Sequence, residues 1–197
     1  MAVERTFVMI KPDAVMRGTV GDIIKRFERA SLKLVGMKMT WPSPEKADGF
    51  YPSDEDWLRG LAQKTKNRSK QLGIDVEKEF GTLDELKIGR AIKSWIVKFI
   101  SSGPVVLMVW EGNNVVEKVR KLIGYTDPID AKPGSVRADF SQESIDWANS
   151  SKRVVMNIVH ASGNPEEARQ EISYWFSPEE LFEYENTFDL MMKKLTG

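Results

Sequence analysis

The 197-residue chain carries 29 acidic and 29 basic residues, and this formal net charge of zero argues against a nucleic-acid surface built on bulk positive charge. It has no cysteine and a single histidine, which excludes disulfides and thiolate metal sites and would leave a zinc site mostly to carboxylates. The 41% hydrophobic content is ample for a core, and the length fits one domain, 1–197, with an elaboration.

The opening MAVERTFVMIKPD lacks the pattern of a secretory signal, and no apolar run approaches the roughly 20 residues of a membrane span, so a soluble, cytoplasmic protein is expected. Thr6 to Ile10 (TFVMI) is a continuous apolar run of strand length that ends in Lys11-Pro12-Asp13. Lys11 reads either as a solvated strand end or as a phosphate-binding cation. Val20, Ile23, Ile24 and Phe27 then recur at helical spacing, predicting an amphipathic helix over Val20 to Ala30. Leu32 to Trp41 alternates as a second strand.

From Pro42 to Arg90 the rhythm breaks. Trp57, Leu58 and Leu61 suggest a short helix beginning after Ser53, and Gly73 to Gly81 reads as connecting turns. Thr82-Leu83-Asp84-Glu85 is a capping-box signature that opens a helix with Leu86, Ile92, Ile96 and Phe99 on its apolar face, stopping near Ser101. Most of this block reads as a helical insertion.

Pro104 to Trp110 (PVVLMVW) is a third buried strand, and Asn113 to Ile123 a helix with Arg120 near its end. A long loop follows, Gly124 to Asp139, with Thr126, Lys132 and Arg137 as donors suited to phosphate oxygens or simply as solvated charges. Val154 to Val159 is a fourth β-prone run, and it delivers His160, the only imidazole, to its end. Asn164-Pro165-Glu166-Glu167 reads as a helix start. On that helix Glu171 shares a face with Ala168, Ile172 and Trp175, so its carboxylate can bind one ring nitrogen of His160 and leave the other as a nucleophile. A merely structural strand-end histidine fits the local sequence equally well. Two short helices are expected at the end, the second opened by Ser177-Pro178-Glu179-Glu180.

Without the insertion, this order is strand, helix, strand, strand, helix, strand. It predicts an α+β fold of the ferredoxin-like sandwich class, a four-stranded antiparallel sheet covered by helices on one face. The first and third strands are then central and the fourth lies beside the first. Whether Lys11 and His160 meet is left open by periodicity.

The segments ERTFVMIKPDAV, SGPVVLMVWEG, TDPIDAKPGSVRADF, NIVHAS and EISYWFSPEEL, in this order, resemble nucleoside diphosphate kinase. The likeness covers nearly the whole chain outside roughly Pro52 to Gly89, and is to the form with a helical insertion, about 52–89, found in some archaeal members. It implies a ferredoxin-like fold and ping-pong transfer of the γ-phosphoryl group from a nucleoside triphosphate to a nucleoside diphosphate. His160 matches the family histidine that is phosphorylated, and Ser162 and Glu171 match the residues that hold its ring. Lys11, Arg120, Thr126 and Arg137 match the phosphate-gripping positions, Asn157 the one at the ribose and phosphate end, and Tyr51 a tyrosine beneath the histidine. Mg²⁺ is implied as cofactor, held mainly by the nucleotide phosphates and not by protein ligands, and a homo-oligomer, commonly a hexamer, is the family's assembly.

The chain departs from the family pattern in three places. Gly163 replaces an acidic residue after HAS and is expected to loosen the loop, KPDA replaces KPDG, and Ile92 falls where the family places a base-stacking phenylalanine. Either Ile92 and Ile96 make an apolar slot for the base, or an aromatic of the insertion, Trp57, replaces the ring. The altered clamp motivates an alternative reading, a catalytically inactive relative serving as a nucleotide-binding scaffold or regulator. A third reading, a nucleic-acid-binding ferredoxin-like module, needs paired exposed aromatics and a basic face, which the central strands do not supply.

Overall fold

The structure, a computed structural model, describes residues 3–196. Its elements in chain order are β1 (Glu4–Ile10), α1 (Pro12–Met16), α2 (Val20–Arg29), β2 (Lys33–Thr40), α3 (Pro44–Phe50), α4 (Glu55–Leu72), α5 (Val76–Phe80) and α6 (Glu85–Ile100). After these come β3 (Val105–Gly112), α7 (Val115–Ile123), α8 (Val136–Phe140), α9 (Ile145–Ser150), β4 (Val159–Ala161), α10 (Pro165–Trp175) and α11 (Thr187–Thr196). Single 3₁₀ turns lie at Pro128–Asp130 and Pro178–Glu180.

The four strands form one antiparallel sheet in the order β2-β3-β1-β4, the ferredoxin-like order expected. The sheet is covered on both faces, however, not on one. Val8 and Ile10 of β1, with Met108 and Trp110 of β3, pack against Ile23 and Phe27 of α2 and Val115, Val119 and Ile123 of α7. The alternate residues Phe7, Met9, Leu107 and Val109 face the other way, against Ala47, Ile100, Trp175 and Phe176. Burial on both faces explains why β1 and β3 read as unbroken apolar runs with no polar alternation.

The fourth strand is shorter and later than its β-prone run. Ile158 has φ of 72°, a left-handed conformation that a β-branched residue rarely adopts and that cannot continue a ladder. Pairing therefore starts at Val159, and His160 stands in the middle of β4 opposite Met9, not at a strand end. Val155 and Ile158 are buried by the packing of irregular chain.

The stretch between β2 and β3 is more helical than its composition suggests. α3 starts at Ser43, whose hydroxyl accepts the N–H of Lys46. α4 is not short: capped by Asp54, which accepts the Trp57 N–H at 2.9 Å, it runs 18 residues to a left-handed Gly73. The Gly73–Gly81 stretch holds α5, capped by Asp75. α4 lies along α6, and the residues it buries, Leu58, Ala62, Thr65 and Ser69, make one side of a helix filled mostly by small or polar residues. The approach is so close that a Cβ on Gly89 of α6 would run into the Leu58 carbonyl. At the C-terminal side, the Ser177 capping box forms but opens only a 3₁₀ turn, and α11 follows it. Among the described residues no helix is long and apolar enough to cross a membrane.

Candidate active site

β1 and β4 are neighbours, so the residues beyond the end of β1 and those on β4 come together. The Lys11 N–H donates to Ile158 O at 2.9 Å, and the Lys11 ammonium donates to Asn157 Oδ1 at 2.6 Å. Asn157 Nδ2 in turn donates to Thr126 O at 2.8 Å, tying the long loop to the same point. The left-handed turn at Ile158 is held by Asp13, a buried carboxylate of α1 that accepts the Ile158 N–H at 3.0 Å.

Arg137, on α8 inside the stretch read as loop, is also buried. Its guanidinium donates to the carbonyls of Asn157, Gly124 and Val159 at 3.2, 2.9 and 2.7 Å. Of the five N–H groups of a guanidinium, two remain for a ligand. Arg137 thus fixes the chain on both sides of Ile158 and still offers charge to the cavity. Burial, and then the charge of Arg120, lower its pKa to about 10. Burial and then Arg137 lower that of the Lys11 ammonium to about 8, against the opposing pull of Asp13.

His160 is partly exposed and its Nε2 stands 2.7 Å from Glu171 Oε1. The other carboxylate oxygen accepts the Ser162 hydroxyl at 2.6 Å, and Ser162 Oγ accepts the Phe7 N–H at 3.3 Å. A carboxylate needs a donor, so Nε2 carries the ring proton and Nδ1 keeps a free lone pair. Phe50 and Tyr51 meet the imidazole edge-on with ring centroids at 5.4 and 6.2 Å. Burial and then the Glu171 charge raise the Tyr51 phenol, which stays protonated as a donor.

These groups open on a cavity of about 770 Å³, of a size that holds a small organic ligand. Lys11, Tyr51, Ile92, Arg120, Thr126, Arg137, Asn157, His160 and Glu171 all line it. Ser162 does not; it lies fully buried behind Glu171. Ile92 is only 8% exposed because it packs against Ala62 and Ile88, so most of the apolar surface at that end belongs to Trp57, Leu61, Trp95 and Ile96. Gly163 does not loosen the loop: its N–H donates to Glu167 Oε2 at 2.7 Å, and a Cβ there would lie 2.6 Å from the same oxygen. Sequence reasoning missed Phe50 and gave no role to Asp13, although both adjoin or belong to motifs it used. A carboxylate two residues after a strand-end lysine was the available signal.

A sequence profile of the nucleoside diphosphate kinase family matches residues 4–59 and 85–181, more than half of the chain. The chain belongs to the nucleoside diphosphate kinase family. It is 51% identical over 183 residues to a nucleoside diphosphate kinase of Pyrobaculum aerophilum, covering 93% of this chain and 100% of that one. The Pyrococcus horikoshii nucleoside diphosphate kinase is 41% identical over 97% of this chain and 96% of its own length. A crystal structure of the P. aerophilum kinase superposes with a TM-score of 0.89 at 49% identity, covering 92% of this chain and 100% of that one. A Borrelia burgdorferi nucleoside diphosphate kinase with bound vanadate and ADP, a transition-state mimic, superposes at 0.77 with 31% identity and 96% coverage of both chains. The chain is accordingly a phosphotransferase, and the inactive-relative reading finds no support.

Proposed function

We propose that this nucleoside diphosphate kinase works by ping-pong transfer through His160, and the observation that carries the reading is the His160–Glu171–Ser162 chain facing the Lys11, Arg120 and Arg137 charges across one cavity. Nδ1 attacks the γ-phosphorus of a nucleoside triphosphate in line. The N–P bond forms as the bond to the β-phosphate oxygen breaks, and the diphosphate leaves with that electron pair. A second diphosphate reverses the step and restores the imidazole. Glu171 holds the ring proton on Nε2 and balances the charge the ring gains; Ser162 holds Glu171.

Phosphoryl transfer asks for positioned positive charge on the phosphate oxygens. Lys11, Arg120 and Arg137 supply that charge here, with the Thr126 hydroxyl, the Tyr51 phenol and Asn157 as neutral partners. Ile92, mostly buried by Ala62 and Ile88, adds little to the base slot, whose apolar surface comes from Trp57, Leu61, Trp95 and Ile96. No base-specific donor is needed, so nucleobase promiscuity follows from a site that must accept donor and acceptor nucleotides alike.

Mg²⁺ fits as a cofactor that arrives on the nucleotide. Both oxygens of Glu171 are engaged by His160 and Ser162, and Glu167 is engaged by Gly163 and Asn164, so the phosphates are its natural ligands. When bound it would neutralise charge on the phosphates. The reading extends to a cytoplasmic homo-oligomer, hexameric as the family resemblance implies, and the exposed Met37, Met39 and Trp41 at the edge strand β2 favour association.

Initial-rate kinetics with ATP varied at several fixed concentrations of a second diphosphate test the mechanism. Parallel double-reciprocal lines are expected; lines that intersect would require both nucleotides bound at once and would refute it.

A further inference from the structure

The helix α4 lines the cavity. Trp57, Leu61, Lys64 and Thr65 line it, at the spacings of three, four and eight that put residues on one face of a helix. Near its start, the Trp57 ring is 6.2 Å from the ring of Tyr51, which itself touches His160. Near its end, Arg68 reaches three carboxylates beside the cavity-lining residues Thr126 and Ile145. Arg68 Nη1 is 3.3 Å from Asp130, and its Nε and Nη2 are 3.7 Å from Asp127 and Asp146. Trp57 and Arg68 are eleven residues apart, about 16 Å along a helix.

The carboxylates that Arg68 grips adjoin the site. Asp127 is buried and accepts the Ile145 N–H with both oxygens at 3.2 Å. It follows Thr126, whose carbonyl is held by Asn157, the partner of Lys11. α4 is therefore in ring contact with Tyr51 near its start and ion-paired beside Thr126 and Ile145 near its end.

The cavity lining carries two kinds of surface. Lys11, Arg120, Arg137 and His160 supply charge, whereas Trp57, Leu61, Trp95 and Ile96 are apolar. Phosphates suit the first and a flat nucleoside the second. Lys64 is exposed in the same lining, and among the described residues none engages its ammonium. Leu61, Lys64 and Arg68 all fall between the two stretches matched by the family profile.

We infer that α4 is a nucleoside-binding wall: Trp57 and Leu61 pack on the nucleoside, Lys64 donates to its acceptor atoms, and Arg68 is a positioning residue that holds the helix at the site. The inference rests on the phosphohistidine reading. It is tested with two phosphoryl donors, ATP and phosphoramidate, the second having no nucleoside for α4 to hold. His160 labelling by each donor is followed in wild type, Arg68→Ala, Arg68→Lys and Lys64→Ala, with melting temperatures recorded.

The ATP concentration for half-maximal rate should rise at least tenfold in Arg68→Ala and severalfold in Lys64→Ala. Arg68→Lys should recover part of the loss, while labelling from phosphoramidate changes less than twofold in every variant. ATP dependence within twofold of wild type in both alanine variants would overturn the inference. Equal losses with both donors would overturn it too, because the effect would then lie at the histidine. If Arg68→Ala fails to fold, the exposed Lys64→Ala decides by the same criterion. Wild type that takes label from neither donor would instead refute the phosphohistidine reading itself.

Discussion

The Asp13 carboxylate accepts the backbone N–H of Ile158 at 3.0 Å and holds a β-branched residue at φ of 72°. On one side of that turn is Asn157, which binds Lys11; on the other is Val159, then His160. A left-handed conformation at a non-glycine residue costs of order 1–3 kcal/mol and persists only where its surroundings impose it. Asp13 and Arg137 are those surroundings, and the strain sits between His160 and Asn157, the partner of Lys11.

Asp13→Ala leaves the buried Ile158 N–H unmet, at a cost of about 1–3 kcal/mol. The expected outcome is a lower melting temperature together with a drop in kcat/KM, read by calorimetry and steady-state assay. Asp13→Asn keeps an acceptor and should recover most of the stability. Full activity in the alanine variant would show that the turn holds itself.

Lys11 gives the site a pH limit. Its ammonium titrates at about 8, below the ordinary lysine value, because burial and Arg137 disfavour the charge. The charged form is present below that value and is lost as pH rises through it. Since kcat/KM reports groups of the free enzyme, it should fall above about pH 8. Lys11→Met, with no ammonium to lose, should show a low kcat/KM with that limb absent. A wild-type profile flat from pH 7 to 10 would contradict the loss of the Lys11 charge near pH 8.

Glu171→Gln keeps the shape of the side chain but no longer supplies a carboxylate to hold the Nε2 proton. Partners of this kind behind a functional histidine typically matter by about 10–100-fold. That loss should fall on kcat for the phosphorylation half-reaction, measured in single turnover, with nucleotide affinity little changed. Ser162→Ala should lose less activity but more stability, since Ser162 is fully buried and also accepts the Phe7 N–H. An unimpaired Glu171→Gln enzyme would refute the role of Glu171 in setting the ring tautomer.

The central strands, α2, α7 and the Asn164 cap were legible because apolar spacing and capping chemistry are local signals. The run PVVLMVW carries the information that both faces of β3 are buried, although the element order predicts helices on one face only. Illegible parts have particular causes. α4 buries Leu58, Ala62, Thr65 and Ser69, a stripe too small and polar to register as a helix of 18 residues. β4 begins late because Ile158 is held left-handed by Asp13, a partner 145 residues away, and no local pattern encodes that. Of the site, the residue types and their motifs were visible in the sequence. What it could not give was Ser162 lying behind Glu171, Arg137 serving the backbone as well as the cavity, and Ile92 mostly consumed by packing on Ala62.

In the proposed mechanism His160 carries the phosphoryl group. Its most direct test is to incubate the protein with γ-labelled ATP and Mg²⁺, isolate it without acid, and locate the label by mass spectrometry. Acid-labile label on His160 in wild type, none in His160→Ala, and transfer of that label to added diphosphate is the predicted result. Label persisting in His160→Ala, or a wild-type enzyme that turns over without ever carrying label, would contradict it.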